Sequence, residues 1–175
     1  MSLHAEMVAM GERALAASRR LALLGHEARQ AILIAMADRI DSSIDMILAA
    51  NGKDMDNGRK TGLSPALLDR LLLNKSRIQG TTRALRDVAA LKDPVGECMK
   101  QWTRPNGLEI RKVRVPIGVI GIIYESRPNV TVDSAGLCLK AANAVILRGG
   151  KEALNSNKAL VDAMIEGGSR HGLPA

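Results

Sequence analysis

Between Pro116 and Glu152 the chain reads PIGVIGIIYESRPNVTVDSAGLCLKAANAVILRGGKE, in which two short apolar runs each pass into a polar loop. The first run, Ile117 to Tyr124, is rich in β-branched residues and is predicted to form a strand buried on both faces of a parallel sheet. It leads into Glu125-Ser126-Arg127-Pro128-Asn129, a loop of charges and hydrogen-bonding groups. The second run, Ala144 to Leu147, leads into Arg148-Gly149-Gly150-Lys151, where two glycines let backbone approach a ligand and two cations flank them. Between the runs, Val130 to Ala141 has the length of a crossover helix, with Val132, Ala135 and Leu139 toward the sheet and Asn143 as its left-handed end. Strand, helix and strand over this length imply a right-handed parallel unit. Ligands of open α/β sheets gather at the carboxyl ends of strands, where both loops fall.

The first ninety or so residues are helical in pattern. Leu33, Met36, Ile40, Ile44, Ile47 and Leu48 make one apolar stripe, expected to end at Asn51-Gly52. A shorter helix opens at Ser64-Pro65 with Leu67, Leu68, Leu71 and Leu72 inward, and a further one runs from about Asn74 to Leu91. Asp93-Pro94 closes this part. The turn Arg104-Pro105-Asn106-Gly107 between alternating residues then predicts a hairpin. A last helix is expected from near Asn155 to Gly167-Gly168, with Leu160, Val161, Met164 and Ile165 inward. Two parallel strands do not cover the apolar faces of their helices, so the cofactor-type sheet is expected to be incomplete within these 175 residues.

Composition narrows the partners. One Trp, one Tyr and no Phe argue against a base-stacking surface for nucleic acid, and the net charge of +7 suits small anions equally well. The basic hairpin, with Lys100, Arg104, Arg111, Lys112 and Arg114, reads as a solvated or subunit-facing ribbon before a nucleic-acid surface. No apolar run is long enough to span a bilayer and no signal-peptide order opens the chain, so a cytoplasmic protein is expected. Cys98, Cys138 and the three histidines lie too far apart for metal-ligand spacing. The glycines match neither a dinucleotide fingerprint nor a P-loop, so Gly149-Gly150-Lys151 reads equally as a tight turn or as a phosphate cradle. Asn129 is either a helix cap or a donor to an oxyanion. Cys138, mid-helix with no His in reach, reads as a buried structural thiol.

The run VPIGVIGIIYESRPNVTVDSAGLCLKAANAVILRGGKEA closely resembles the γ-glutamyl phosphate reductases (glutamate-5-semialdehyde dehydrogenases) of the aldehyde dehydrogenase superfamily, and NGKDM, GLSPALLDRLLLN and DPVGE look like the same family's N-terminal part. The resemblance implies an α/β, aldehyde-dehydrogenase-like fold. Residues 1–94 would be N-terminal helices packed on an incomplete Rossmann-like sheet, 95–115 a hairpin oligomerisation arm, and 116–175 the first part of an NADP-binding domain. It implies reduction of γ-glutamyl phosphate by NADPH, with phosphate release, in proline biosynthesis by a homo-oligomer. Asn129 matches the superfamily's oxyanion asparagine; Glu125, Ser126, Arg127 and Pro128 match the loop beside the cofactor; Arg148, Gly149, Gly150 and Lys151 match the segment at its adenosine ribose and phosphate. Two departures stand out. Ala142 replaces a usual glycine, leaving the helix end to Asn143, and the segment carrying the family's nucleophilic cysteine lies beyond Ala175, matched by neither Cys98 nor Cys138. The chain is therefore expected to be truncated and inactive alone. The alternatives are a silent module that binds an anionic partner through the hairpin, and another acyl-reducing aldehyde dehydrogenase, which YESRPN disfavours.

Overall fold

The computed structural model describes residues 2–174. Among them the order is α1 (Leu3–Leu21), α2 (His26–Ser42), α3 (Ile44–Lys60), α4 (Pro65–Leu71), α5 (Lys75–Ala90), β1 (Cys98–Thr103), β2 (Glu109–Val113), β3 (Val119–Ile123), α6 (Pro128–Lys140), β4 (Ala144–Arg148), a 3-10 turn (Lys151–Ala153) and α7 (Leu154–Ser169). β3 and β4 pair in parallel, Val119 opposite Ala144 and Ile123 opposite Arg148. β1 and β2 form the predicted antiparallel hairpin, closed where Gly107 N donates to Arg104 O at 2.9 Å.

The core is built around α2. Ile32, Leu33, Met36 and Ile40 are buried among Ile78 and Leu85 of α5, Val132 and Leu139 of α6, and Leu160 and Met164 of α7. This is aliphatic packing without aromatic rings, so close approach of backbones replaces large side chains. A Cβ on Gly167 would sit 2.5 Å from Ala35 O, which shows how tightly α7 lies on α2. The caps follow local chemistry: Ser64 Oγ accepts from Leu67 N at 3.4 Å, and Asn74 Oδ1 accepts from Arg77 N at 2.8 Å.

Several expectations are corrected. The apolar stripe is two helices, broken at Ser43, and α3 runs past Asn51-Gly52 to Lys60. Asn51 tolerates a mid-helix place because its amide is fully used: Nδ2 donates to Leu71 O at 2.8 Å and Ser156 Oγ at 3.0 Å, and Oδ1 accepts from Leu73 N at 2.8 Å. α7 continues through Gly167-Gly168, and its buried face uses Ala159 and Ala163 in place of the outward Ile165. In α4, Leu67 faces solvent while Leu73, just beyond the helix, is buried. The left-handed residue after α6 is Ala142 (φ 58°), not Asn143. Asn143 instead donates its N–H to Cys138 O at 2.8 Å and accepts Gly118 N–H on Oδ1 at 2.8 Å, pinning the helix end to the entry of β3. β3 is only half covered, with Ile123 80% exposed, because a two-stranded sheet leaves one of its faces unpacked.

Candidate functional site

Parallel pairing sets the exits of β3 and β4 side by side, Tyr124 N donating to Arg148 O at 3.1 Å. The loops that follow are braced by Ser126 Oγ, which donates to Glu152 Oε2 at 2.7 Å. That hydroxyl holds the Glu152 carboxyl below its ordinary range, helped by the residue's own backbone N–H and by Lys151 and Arg148 nearby. Beneath the brace, Thr131 Oγ1 donates to Asn157 Oδ1 at 3.0 Å, which leaves the Tyr124 hydroxyl as the donor in its 2.7 Å bond to Thr131. Both glycines are required by this closeness. A Cβ on Gly149 would meet Asn157 Nδ2 and the Tyr124 ring, and one on Gly150 would meet the Ser126 hydroxyl and Glu152.

Two hollows open here. The first, about 480 Å³, has Glu125, Ser126, Arg148 and Gly150 on one side and Leu67 and Ile123 on another. The second, about 420 Å³, lies at the start of α6 and takes in Arg127, Asn129 and Asp133 against α4 and α5. Arg70 lines both, and its Nη1 is 3.3 Å from Glu125 Oε2. Pro128 is buried as the first residue of α6 and Arg127 caps that helix without a side-chain bond; Val130 N donates to Arg127 O at 3.0 Å, which leaves the Asn129 N–H and the partial positive charge of the helix start at the second hollow.

Of the residues singled out from sequence, Glu125, Ser126, Arg148 and Gly150 are brought together, and Arg127 with Asn129 in the adjoining hollow. Gly149 and Lys151 line neither: Gly149 packs against Tyr124, and Lys151 is exposed at the start of the 3-10 turn. Asn129 is inside α6 and not its cap, donating Nδ2 to Asp133 Oδ2 at 3.1 Å. Asp133, four residues on, was legible as a same-face partner. Arg70 was not, because only tertiary packing brings α4 to the strand exits. Cys138 is buried in α6, and burial pushes its thiol up, as suits a structural thiol. Among the described residues no helix is long and apolar enough to cross a membrane, and no His, Cys, Asp and Glu group is arranged to hold a metal ion.

No protein-family model matches the chain. Its curated relatives include the γ-glutamyl phosphate reductase of Moorella thermoacetica, 55% identical over 174 residues, which are 99% of this chain and 42% of the relative. Among solved structures, the γ-glutamyl phosphate reductase of Thermotoga maritima superposes with a TM-score of 0.94 at 43% identity, covering 97% of this chain and 41% of that one. A probable aldehyde dehydrogenase from Listeria monocytogenes shares the fold, with a TM-score of 0.66 at 16% identity over 93% of this chain and 33% of its own. The chain is thus an α/β, aldehyde-dehydrogenase-like polypeptide homologous to γ-glutamyl phosphate reductases along nearly all its length, and it spans about two fifths of the length of those curated relatives.

Proposed function

We propose that this chain is the N-terminal, cofactor-binding portion of a γ-glutamyl phosphate reductase, an oxidoreductase of proline biosynthesis that converts γ-glutamyl phosphate to glutamate-5-semialdehyde and phosphate with NADPH. The observation that carries the reading is the braced pair of strand-end loops, Ser126 bonded to Glu152 with Arg148 alongside, on a chain homologous to enzymes of that name. The donor set fits a nicotinamide dinucleotide: the Arg148 guanidinium for phosphate, hydrogen-bonding groups of Ser126 and Gly150, and an apolar wall of Ile123 and Leu67. When bound, NADPH supplies the hydride.

The chain's own residues bind and orient. Arg148 and Lys151 neutralise the 2′-phosphate, and the loop Glu125, Ser126, Arg127 and Pro128 flanks the cofactor. Asn129, at the positive end of α6, donates an N–H to the oxygen of the carbonyl being reduced. The attacking cysteine belongs to a segment outside this chain, since Cys138 is buried in α6 and Cys98 lies on the hairpin, so the chain alone does not turn over. Residues 1–94 and 116–175 form the helical and βαβα parts of the NADP domain, and the 95–115 hairpin joins subunits of a cytoplasmic homo-oligomer.

Arg148→Ala in the full-length reductase is the test. Losing a charge-assisted bond to phosphate should lower the preference for NADPH over NADH by about tenfold or more. Unchanged selectivity would remove Arg148 from the cofactor site.

A further inference from the structure

Asn129 and Asp133 lie one turn apart on α6 and share the hollow at its start. Asn129 Nδ2 donates to Asp133 Oδ2 at 3.1 Å. An ionised carboxylate only accepts, so it dictates which end of the amide faces it. The second N–H on Nδ2 has no hydrogen-bond partner among the described residues.

We propose that Asp133 is the positioning residue for the oxyanion donor: it holds one N–H of Asn129 and thereby aims the other at the carbonyl oxygen undergoing reduction. This rests on the function proposed above. The charged groups that face Asp133 across the hollow are Arg127 at the cap of its helix, Asp69 and Arg70 from α4, and Arg77 from α5. Arg77 is engaged by Asp69 at 2.7 Å and Arg70 by Glu125 at 3.3 Å, and Arg127 forms no ion pair with Asp133, which leaves the amide as its hydrogen-bond partner. Burial pushes the Asp133 carboxyl above the ordinary range, and the amide opposes this only in part. Once protonated, the carboxyl can donate. The amide is then free to turn its oxygen toward the carboxyl, and the N–H aimed at the substrate carbonyl loses its alignment.

Turnover of the full-length reductase should therefore decline on the acid side as Asp133 takes up its proton. Asp133→Asn should lower kcat about 10- to 100-fold with KM little changed, abolish that acid limb, and be partly rescued by Asp133→Glu. The substitution removes a half-buried charge, so melting should stay within roughly 4 °C of the parent. Independently of activity, the Asn129 side-chain amide resonances of this chain should titrate with pH and cease to do so in Asp133→Asn. A kcat for Asp133→Asn equal to the parent's beside an impaired Asn129→Ala, or an amide that does not titrate, overturns the positioning role alone. An unimpaired Asn129→Ala overturns the oxyanion assignment and this role with it.

Discussion

Gly150 shows how little room the strand-end loops leave. Its missing side chain is the space in which the Ser126 hydroxyl meets Glu152, and a methyl there would push both away. On the function proposed above, Gly150→Ala should weaken NADPH binding about tenfold while moving the melting temperature only by about 2 °C, because the loop and not the core absorbs the change. Titration by cofactor fluorescence together with thermal melts separates the two effects. At this scale the sequence was readable where residue type implies geometry, as with Ser64 and Asn74 at their helix starts. It misled at Asn143: the left-handed conformation went to Ala142, at a cost of about 1–2 kcal/mol for a residue with a Cβ. The asparagine was needed elsewhere, for its bond to Gly118 N.

At the scale of elements, α7 is started by another helix. Asp54 of α3 is 2% exposed and accepts from Asn155 N at 3.2 Å, Asn155 Nδ2 at 2.7 Å, Ser156 N at 2.7 Å and Ser156 Oγ at 2.6 Å. A carboxylate at a helix N-terminus both satisfies orphan N–H groups and meets the dipole. Asp54→Ala leaves those donors buried and unpaired, which should cost about 3 kcal/mol or more and lower the melting temperature by about 10 °C. A denaturation series that finds less than about 1 kcal/mol would refute the cap. Periodicity revealed α5 and one apolar side that runs along α2 and α3, without the break between them at Ser43. It could not reveal that Asn51-Gly52 and Gly167-Gly168 lie inside helices, since the compensating contacts, Leu71, Leu73 and Ser156 for Asn51 and Ala35 for Gly167, are remote in sequence. The hollow beside Arg70 escaped notice for the same reason.

Across the whole molecule, one buried junction ties the helical layer to the lead-in of the hairpin. Arg29, 2% exposed, donates to Lys140 O at 2.5 Å and Asp93 Oδ2 at 2.7 Å, and Lys140 Nζ donates to Ala89 O at 2.7 Å. Burial alone would raise the Asp93 carboxyl, but the Val95 N–H and the Arg29 guanidinium outweigh it and hold it below its ordinary value. A depressed carboxyl stabilises the fold above its unfolded value, near about pH 4, and that contribution is lost as pH falls through the folded value. Asp93→Asn should be less stable than the parent at pH 6, with the gap closing below about pH 4; melts that stay parallel would disprove the linkage. The half-covered pair of β3 and β4 has a kinetic side. Its strands touch only after the intervening α6 is in place, and two strands hold together poorly without a helix to pack on. The loop-bearing strand exits are therefore expected to be late events in folding, set after α6 docks on α2, so a slow step in refolding should delay the site while most of the helical signal has already returned.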